Sequence, residues 1–501
     1  MILAAIFAIT AQTRAQDLAS FEKRITVKTL SNGLTLVICE RPEAPVFSFY
    51  THVDVGADRE VPGITGLAHM FEHMAFKGTE TIGTTNYPEE KIAIEKIETA
   101  YQAYDLERRK EVGRDDKKVA VLEKAWKDAQ AAADKFIVTN DFGNIISRNG
   151  GVGLNANTTS EDTNYYYSFP SNQLELWAYL ESDRFLHPVF REFYKEREVV
   201  HEERRLGESR AFGRLFEQFL AAAYTAHPYG QPVVGWPSDL ESFSLTDANH
   251  FFDKYYIPAN MVVTIVGDVK PAEVIPLAEK YFGRIPAKPK PEPLRTVEPA
   301  QHSERIVILH EPSQPIFIEG YHKPNERDKD DAVYSAIQDL LSNGRTSRLF
   351  RSLVRDKKIA AFSGGFNGFP GSKYPNLFIF FAFTTPGHTP EDIRDALHAE
   401  IERVKNEDIS DEELQMIKSR AKADLLRGLG DNEGLASQLG HYQSLFGDWR
   451  ELFYQEKRIE SVTEADIRRV ANATFLESNR TIGMVESTKL AQGPAPEKEA
   501  H

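Results

Sequence analysis

The sequence repeats one arrangement of helix and strand at two distant places. Leu245-Thr-Asp-Ala248 opens a helical pattern followed by Asn260-Met-Val-Val-Thr-Ile-Val-Gly267, and Val462-Thr-Glu-Ala465 opens one followed by Asn479-Arg-Thr-Ile-Gly-Met-Val485. The same order and similar spacing indicate a duplicated unit of helices and strands. This duplication constrains the fold strongly, because two related halves that face each other readily enclose a site.

Length and composition agree with two halves. A chain of 501 residues is too long for one hydrophobic core. The run Pro286-Ala-Lys-Pro289-Lys-Pro291-Glu-Pro293 is too rich in proline for a helix or an inner strand, so residues 285–299 are predicted to form a linker. It separates a first domain, residues 16–284, from a second domain, residues 300–490, and residues 491–501 are predicted to be a disordered tail.

Charge and the first residues bear on partners and location. The net charge of -15 argues against nucleic acid and anionic lipid as main partners. Residues 1–15 combine an apolar run of signal-peptide length with small residues, which predicts a periplasmic or secreted protein, although the usual basic start is missing. No other segment is apolar over a membrane-spanning length, so stable membrane insertion is not expected. The single Cys39 excludes a disulfide framework and a cysteine-rich metal site.

Two further patterns organise the first half. The alternation from Ile25 to Glu40 around Asn32-Gly33 predicts a hairpin, and Val46 to Val55 predicts the next strand. Residues 88–135 are instead highly charged, with narrow apolar stripes, and predict an inserted helical hairpin. It is either a solvated insertion packed on the surface or a lid or docking arm for a partner.

The segment Gly66-Leu-Ala-His-Met-Phe-Glu-His-Met-Ala-Phe76 carries two histidines four residues apart. On a helix that begins near Ile64, His69 and His73 lie about 40° apart, and Glu72 lies about 60° to the far side of His69. The other residues are apolar, so the helix is predicted to be buried, and buried polar groups need partners. A divalent metal would satisfy all three; the alternatives are hydrogen-bonded core histidines or a chance match. H-x-x-E-H is the inverzincin signature, and a catalytic zinc needs a third protein ligand.

A helical pattern from Arg191 to Arg205 offers such a ligand. Glu196 and Glu203 are seven residues apart and share one face, whereas Glu202 points about 100° away. A carboxylate from this helix would complete a site of two histidines and one glutamate. From this stretch alone, a solvated acidic face remains the simpler explanation.

The stretch Asn149-Gly-Gly-Val-Gly-Leu-Asn-Ala-Asn-Thr158 is rich in glycine and small residues. It predicts a strand whose open edge can pair with an extended peptide. A plain turn is the alternative.

Together these segments resemble the pitrilysin-like zinc metallopeptidases, the group that includes insulysin and the mitochondrial processing peptidase. The motifs that carry the resemblance span most of the chain: His69-x-x-Glu72-His73, the Asn155-Ala156 strand, Glu196-x-x-Val-Val-x-Glu-Glu203, His227-Pro-Tyr-Gly230 with Gly235, and Tyr256-x-Pro258-x-Asn260-Met with Gly267-Asp268. The gap from His73 to Glu203 is longer than is usual in the family, and the insertion at residues 88–135 accounts for it.

The resemblance implies an α+β fold of two duplicated α/β-sandwich halves. Each half would have an antiparallel-rich sheet with helices packed on one face, and the halves would face each other across a chamber. It also implies one Zn²⁺ per chain, with roles for the following residues: His69, His73 and Glu203 as ligands, Glu72 as general base for the attacking water, and Glu196 as the carboxylate that orients a histidine. A peptide substrate would lie extended along Asn155, Ala156, Asn157 and Thr158.

The family also places an arginine and a tyrosine, seven residues apart in its C-terminal half, against the scissile carbonyl. Arg355 matches the arginine, but Phe362 stands where the family has the tyrosine. The lost hydroxyl removes a transition-state donor, an effect worth ~3 kcal/mol at oxyanion-hole sites. We therefore expect a homologous partner subunit, or a homodimer, to complete the site.

The predicted function is zinc-dependent endopeptidase activity on peptides or unfolded polypeptides. One alternative is a non-catalytic or partner-dependent subunit of a heterodimeric peptidase, although the intact ligand set argues against a pure scaffold. Another is a zinc amidase that acts on non-peptide substrates. The paired halves and the open strand edge favour peptides over small amides.

Overall fold

The structure is a computed structural model that describes residues 18–488. Its first half contains the strands β1 (Ile25–Thr29), β2 (Thr35–Glu40), β3 (Val46–Val53), β4 (Val152–Thr158), β5 (Thr163–Pro170) and β6 (Met261–Gly267). The helices of this half are α1 (Leu18–Glu22), α2 (Leu67–Met74), α3 (Tyr87–Arg108), α4 (Asp116–Ala133), α5 (Asp141–Arg148), α6 (Leu174–Leu186), α7 (Phe193–Glu208), α8 (Ala211–Ala223), α9 (Pro237–Leu240), α10 (Leu245–Tyr255) and α11 (Pro271–Tyr281). The predicted signal peptide, residues 1–15, and the predicted tail, residues 491–501, lie outside the described residues.

The second half is built in the same way. Its strands are β7 (Arg305–Glu311), β8 (Ile316–Lys323), β9 (Ala360–Phe369), β10 (Asn376–Thr384) and β11 (Arg480–Ser487). Its helices are α12 (Asp331–Ser342), α13 (Pro390–Asn406), α14 (Asp411–Gly428), α15 (Asn432–Phe446), α16 (Glu451–Ser461) and α17 (Glu464–Thr474), and a π-helical turn covers Phe350–Asp356.

The two sheets have the same topology. The first has the order β1-β2-β6-β3-β5-β4, and the second has the order β7-β11-β8-β10-β9. The strands β2 to β6 of the first half correspond to β7 to β11 of the second. In each set the first strand in the chain runs parallel to the last one, β2 beside β6 and β7 beside β11, and the other neighbouring strands are antiparallel. β1 is an addition to the first sheet. The predicted α+β fold of two duplicated halves is therefore confirmed.

The repeated sequence pattern has a local physical cause. Ser244 and Asp247 form a capping box at the start of α10, and Thr463 and Asp466 form one at the start of α17. Each box satisfies backbone N–H groups that the first helical turn leaves without partners. The same chemistry therefore starts the equivalent helix in each half.

An asparagine follows each of these two helices and plays the same role twice. The Nδ2 of Asn260 donates to the carbonyls of Tyr255 and Asp54, at 3.0 Å each. The Nδ2 of Asn479 donates to the carbonyls of Thr474 and His322, at 2.9 Å each. Each amide ties the end of a helix to the end of a neighbouring strand.

Each half also covers the sheet of the other half. One face of each sheet packs on helices of its own half, as the sequence predicts. The opposite face of the second sheet is covered by α8 of the first half, and the opposite face of the first sheet is covered by α15 of the second half. This exchange joins the two halves through apolar surfaces, so they pack directly on each other here and do not face each other across a chamber as the resemblance implies.

A polar contact joins the halves at the end of β4. Glu161, in the turn between β4 and β5, is buried and accepts the backbone N–H groups of Ser372 at 3.0 Å and Lys373 at 2.6 Å. The Nζ of Lys373 in turn forms an ion pair with Asp54. The loop between β9 and β10 is thereby held against the edge-strand hairpin of the first half.

Residues 285–304, between the last helical turn of the first half and β7, form neither helix nor strand. They include the predicted linker, residues 285–299. The Glu298 carboxylate accepts the backbone N–H groups of Thr225, Ala226 and His227 at 2.7, 2.9 and 2.8 Å. This segment is therefore bound to the surface of the first half.

The helices α3 and α4 cover most of the range of the predicted inserted hairpin. Trp126 of α4 stacks on Tyr104 of α3, with ring centroids 5.4 Å apart. Arg197 of α7 donates from Nη1 to the Tyr101 hydroxyl at 2.8 Å. The hairpin is thus packed on α7. In residues 18–488, no helix has the length and apolar character needed to cross a bilayer.

Candidate metal centre

The helix α2 carries the two motif histidines and begins at Leu67, three residues later than the sequence predicts. Gly66 precedes it in the left-handed region, with φ of 93°, so the chain turns sharply at this point. The Glu60 carboxylate accepts the backbone N–H of Gly66 at 2.8 Å and that of Ala68 at 2.6 Å. This acidic cap was not predicted from the sequence, because Glu60 lies outside the usual capping positions.

Two imidazoles and one carboxylate converge at one end of this helix. Glu203 Oε2 lies 3.6 Å from His69 Nε2 and 3.5 Å from His73 Nε2. The potential ligand atoms of the three residues all lie within 4.8 Å of one another. Within residues 18–488 this is the only such group of three or more histidine, cysteine or acidic residues. Two segments about 130 residues apart, α2 and α7, therefore contribute to one site.

Glu196 lies about two turns before Glu203 along α7 and faces the second histidine. Its Oε2 is 3.6 Å from His73 Nδ1, and its Oε1 is 2.5 Å from Lys77 Nζ. Lys77 also pairs with Glu192 at 3.1 Å. The lysine thus holds Glu196 at a position where its carboxylate can orient the His73 ring.

The two histidines have different electrostatic environments. Burial lowers the pKa of His69 to about 4, although the nearby Glu203 opposes this effect. The Glu196 carboxylate raises the pKa of His73, and burial opposes that rise. His69 Nδ1 is buried, and no group in the described chain forms a hydrogen bond with it. Burial therefore favours the neutral form of the His69 imidazole near pH 7.

Glu72 lies beside the same cluster and is only partly buried. Its Oε2 is 3.9 Å from His69 Nε2. Burial raises the pKa of Glu72, while the neighbouring Thr158 and the charge of His73 oppose this rise. Thr158 is the last residue of β4. The acidic side chain thus lies between the two histidines and the edge of the first sheet.

The strand β4 forms an edge of the first sheet, as the sequence predicts. The Ala156 side chain is buried in the core, and the Asn155 Oδ1 accepts the backbone N–H of Ala156 at 2.9 Å. The Asn157 Oδ1 accepts the Tyr50 hydroxyl at 3.1 Å. In the described chain no strand pairs with the outer side of β4, so its backbone is available there.

The two C-terminal residues predicted to act on the substrate are not joined to this cluster. Arg355 is exposed and donates to the carboxylate of its neighbour Asp356 at 2.7 and 3.0 Å. Phe362 is 51% exposed on the edge strand β9, and its ring lies 5.4 Å from that of Phe381. Within residues 18–488, no hydrogen bond, ion pair or ring contact links either residue to the three converging ligands.

The second half has polar residues of a different kind at the equivalent place. The helix α12 follows β8 as α2 follows β3, and it carries Ser335, Gln338 and Asp339 at the spacing of the H-x-x-E-H motif. Gln338 Oε1 accepts the backbone N–H of Asn367 on the edge strand β9 at 2.8 Å. Asp339 instead pairs with Arg420 at 3.1 Å. This half therefore retains the arrangement but lacks the histidines.

Comparison with known families gives two matches. A family model described as "Insulinase (Peptidase family M16)" matches residues 36–105 and 138–236. A second model, described as "Peptidase M16 inactive domain", matches residues 242–421. The chain belongs to the insulinase family. The two matches agree with the distribution of the potential metal ligands. The H-x-x-E-H segment lies in the part that matches the insulinase model, whereas α12, which lacks the histidines, lies in the part that matches the inactive-domain model. Residues 106–137, which include all of α4, match neither description.

Similar proteins in this family are bacterial and mitochondrial. The zinc protease PqqE of Helicobacter pylori is 27% identical over 464 residues, which cover 90% of each chain. The probable mitochondrial-processing peptidase subunit beta of Schizosaccharomyces pombe is 23% identical over 480 residues, which cover 92% of this chain and 90% of that protein.

Solved structures agree with the family assignment. The crystal structure of a protease from Helicobacter pylori matches with a TM-score of 0.77 and 25% identity, over 92% of this chain and 99% of that one. The first half of the periplasmic protease PqqL from Escherichia coli has the same fold, with a TM-score of 0.66 and 18% identity, over 94% of this chain and 93% of that one.

Proposed function

We propose that this insulinase-family chain is a zinc-dependent endopeptidase that hydrolyses peptides or unfolded polypeptides in an enclosed chamber. The convergence of His69, His73 and Glu203 carries the proposal. Two atoms that each lie about 2.1 Å from one tetrahedral zinc are about 3.4 Å apart. The observed separations of 3.5 and 3.6 Å between Glu203 and the two imidazoles fit this value. Nitrogen and carboxylate oxygen are also the donor types that zinc prefers.

The donor set suits a catalytic metal better than a structural one. Structural zinc sites have four protein ligands, whereas catalytic sites have three and leave one position open. Here three side chains converge, and the Glu203 side chain is 54% exposed to solvent. When bound, zinc polarises a carbonyl oxygen and makes water more acidic.

Glu72 is placed to act as the general base. It lies beside the ligands and the edge strand, so it can take a proton from an attacking water and deliver it to the leaving amine. Burial raises its pKa, which makes the carboxylate a stronger base than a free glutamate. Glu196, anchored by Lys77, would hold His73 in the orientation that ligation requires.

The substrate would add to the first sheet as an extended strand along Asn155, Ala156, Asn157 and Thr158. The outer edge of β4 offers backbone groups, and main-chain pairing selects extended conformation more than side-chain identity. Thr158 lies beside Glu72, which brings the peptide backbone to the proposed base. This geometry favours flexible peptides over folded proteins.

We also propose that a second, homologous chain or a second copy completes the chamber. The two halves of this chain are packed directly on each other through α8 and α15, so the wall opposite the ligands would have to come from another chain. Arg355 and Phe362 do not contact the ligands of their own chain. Catalysis that depends on a partner is therefore the second candidate function. The apolar run and the small residues in positions 1–15 favour a periplasmic or secreted location.

The decisive experiment replaces the base and leaves the ligands unchanged. Glu72→Gln keeps size and polarity but cannot accept a proton. We expect it to retain zinc and to lose hydrolysis of an unfolded peptide by about 100-fold or more, the usual contribution of a general base. Glu202→Gln is the matched control, because Glu202 is next to Glu203 but is exposed and paired with Arg205.

Different outcomes separate the candidates. Full turnover by Glu72→Gln would refute the assignment of the base. If the isolated chain binds zinc but hydrolyses no peptide, and the natively purified complex does hydrolyse it, the partner-dependent function is favoured. If zinc is bound but neither form hydrolyses peptide, a non-catalytic scaffold is favoured. Cleavage of small amides but not of long peptides would point to an amidase.

A further inference from the structure

One buried arginine connects the two helices that supply the proposed ligands. Arg191 lies two residues before α7 and is only 2% exposed. Its Nε donates to Glu90 Oε1 at 2.8 Å, and its Nη2 donates to Glu90 Oε2 at 3.1 Å. Glu90 belongs to α3 and is also buried. The two side chains form a bidentate ion pair inside the protein, where water does not weaken it.

The remaining donors of the same guanidinium bind the segment that leaves α2. The Nη1 group donates to the carbonyls of Lys77 and Ile82, the latter at 2.9 Å, and Nη2 donates to the carbonyl of Thr79 at 2.7 Å. All five N–H groups of the Arg191 guanidinium therefore have acceptors. Residues 77–82 are wrapped around this one cation.

The segment is shaped to fit the guanidinium. Gly78 and Gly83 have φ values of 90° and 84°, which disfavour any residue with a Cβ. A Cβ at either position would lie 2.9 Å from Arg191 Nη1. The glycines bring the backbone close enough for its carbonyls to reach the buried charge. A lysine at position 191 would offer a single ammonium and could not reproduce this set of bonds.

These bonds lead directly to the ligands. Lys77, whose carbonyl is held by Arg191, binds Glu192 and Glu196 through its own ammonium. Glu196 then faces His73. The end of α2, the start of α7 and the carboxylate that orients His73 thus share one set of contacts.

We propose that Arg191 is a positioning residue of the metal centre. By binding residues 77–82 and Glu90 together, it holds α2 and α7 at the separation at which His69, His73 and Glu203 converge, and it thereby sets the zinc affinity. This inference rests on the proposed function. Contacts that support metal ligands typically contribute about 10- to 100-fold to metal affinity.

The test compares two buried arginines in the full-length protein. Arg191→Lys keeps the positive charge but replaces the planar guanidinium and its five N–H donors by a single ammonium. Arg348→Lys is the control. Arg348 is also buried and pairs with both oxygens of Glu413 at 2.9 Å, but it lies in the second half. Zinc dissociation constants would be measured by competition with a chelator. Amide hydrogen exchange over residues 75–83 would report the shape of the segment without any metal.

We expect Arg191→Lys to weaken zinc binding by about 10- to 100-fold and to speed exchange in residues 75–83, and Arg348→Lys to change neither. Unchanged zinc affinity in Arg191→Lys would overturn the inference. If Arg191→Lys does not fold, Glu90→Gln provides the test, because it keeps a hydrogen-bond acceptor for Arg191 but removes the negative charge. A zinc affinity of Glu90→Gln equal to that of the wild type would likewise overturn the inference.

The same measurements distinguish this inference from the proposed function. A wild-type protein that binds no zinc would overturn both. Zinc binding that is lost in Glu203→Gln but is unchanged in Arg191→Lys would overturn only the role of Arg191.

Discussion

The exchange of helices between the halves predicts that they unfold as one unit, and Phe219 is the residue that tests it best. Phe219 belongs to α8 of the first half, is 0% exposed, and lies on the second sheet. A Cβ at Gly320 would lie 2.8 Å from its Cζ, and a Cβ at Gly483 would lie 3.4 Å from its Cδ2. Two strand glycines of the second half therefore make room for this one ring.

The size of the effect follows from the buried area. A buried phenylalanine removes about 150 Å² or more from water. At roughly 25 cal/mol per Å², Phe219→Ala should lower the free energy of unfolding by about 4 kcal/mol. The cavity left behind keeps this within the roughly 3 to 5 kcal/mol observed for such substitutions. Because the lost contacts join the halves, the substitution should also weaken their coupling.

The assay is urea unfolding followed by tryptophan fluorescence and by circular dichroism. The wild type should show one transition with both probes, and Phe219→Ala should show an earlier and broader one in which the probes no longer coincide. Phe282→Ala is the matched control, since Phe282 is equally buried but packs on Trp177 inside the first half. It should lower stability while the probes still coincide. A loss below about 1 kcal/mol for Phe219→Ala, or two separate transitions already in the wild type, would refute the reasoning.

Two further predictions concern pH and metal content. Burial raises the pKa of Asp58 to about 8 although Arg59 Nε lies 3.6 Å away, so the folded state favours the protonated form. The contribution of Asp58 to the free energy of unfolding is therefore complete below about pH 4 and is lost as pH rises to about 8. Asp58→Asn should reduce the slope of the free energy of unfolding against pH in this range by up to about 1.4 kcal/mol per pH unit. Urea titrations that give parallel curves for the variant and the wild type would contradict this prediction. Elemental analysis should find one zinc per chain, none in Glu203→Gln and one in Glu202→Gln, whereas two per wild-type chain would mean that the second half also binds metal.

Local patterns predicted much of the fold. The hairpin around Asn32-Gly33, the helices that start at capping boxes and the repeated order of elements all appear where the sequence places them, to within a few residues. These features depend on neighbours two to four positions apart, so a single sequence carries them. The start of α2 differs from the prediction because Gly66 turns left-handed and Glu60 supplies the cap from six residues away.

The candidate site was predictable only in part. The spacing of His69, Glu72 and His73 places three polar groups on one helical face, which is a local property. The family resemblance, and not the residues of α7 themselves, pointed to Glu203. Arg191 and Glu90 gave no signal, because a buried arginine and a buried glutamate 101 positions apart look like ordinary charged residues in a sequence.

Patterns within the amino-acid sequence are enough to predict most helices and strands, the two related units and the side chains that share a helical face. Three features emerge only when the whole chain is folded: the exchange of α8 and α15 between the halves, the 3.5 Å approach of Glu203 to His73, and the binding of residues 77–82 by one guanidinium. The reason is physical: periodicity and capping act over a few residues, whereas helix packing and ion pairing depend on the shape and burial that the whole chain creates.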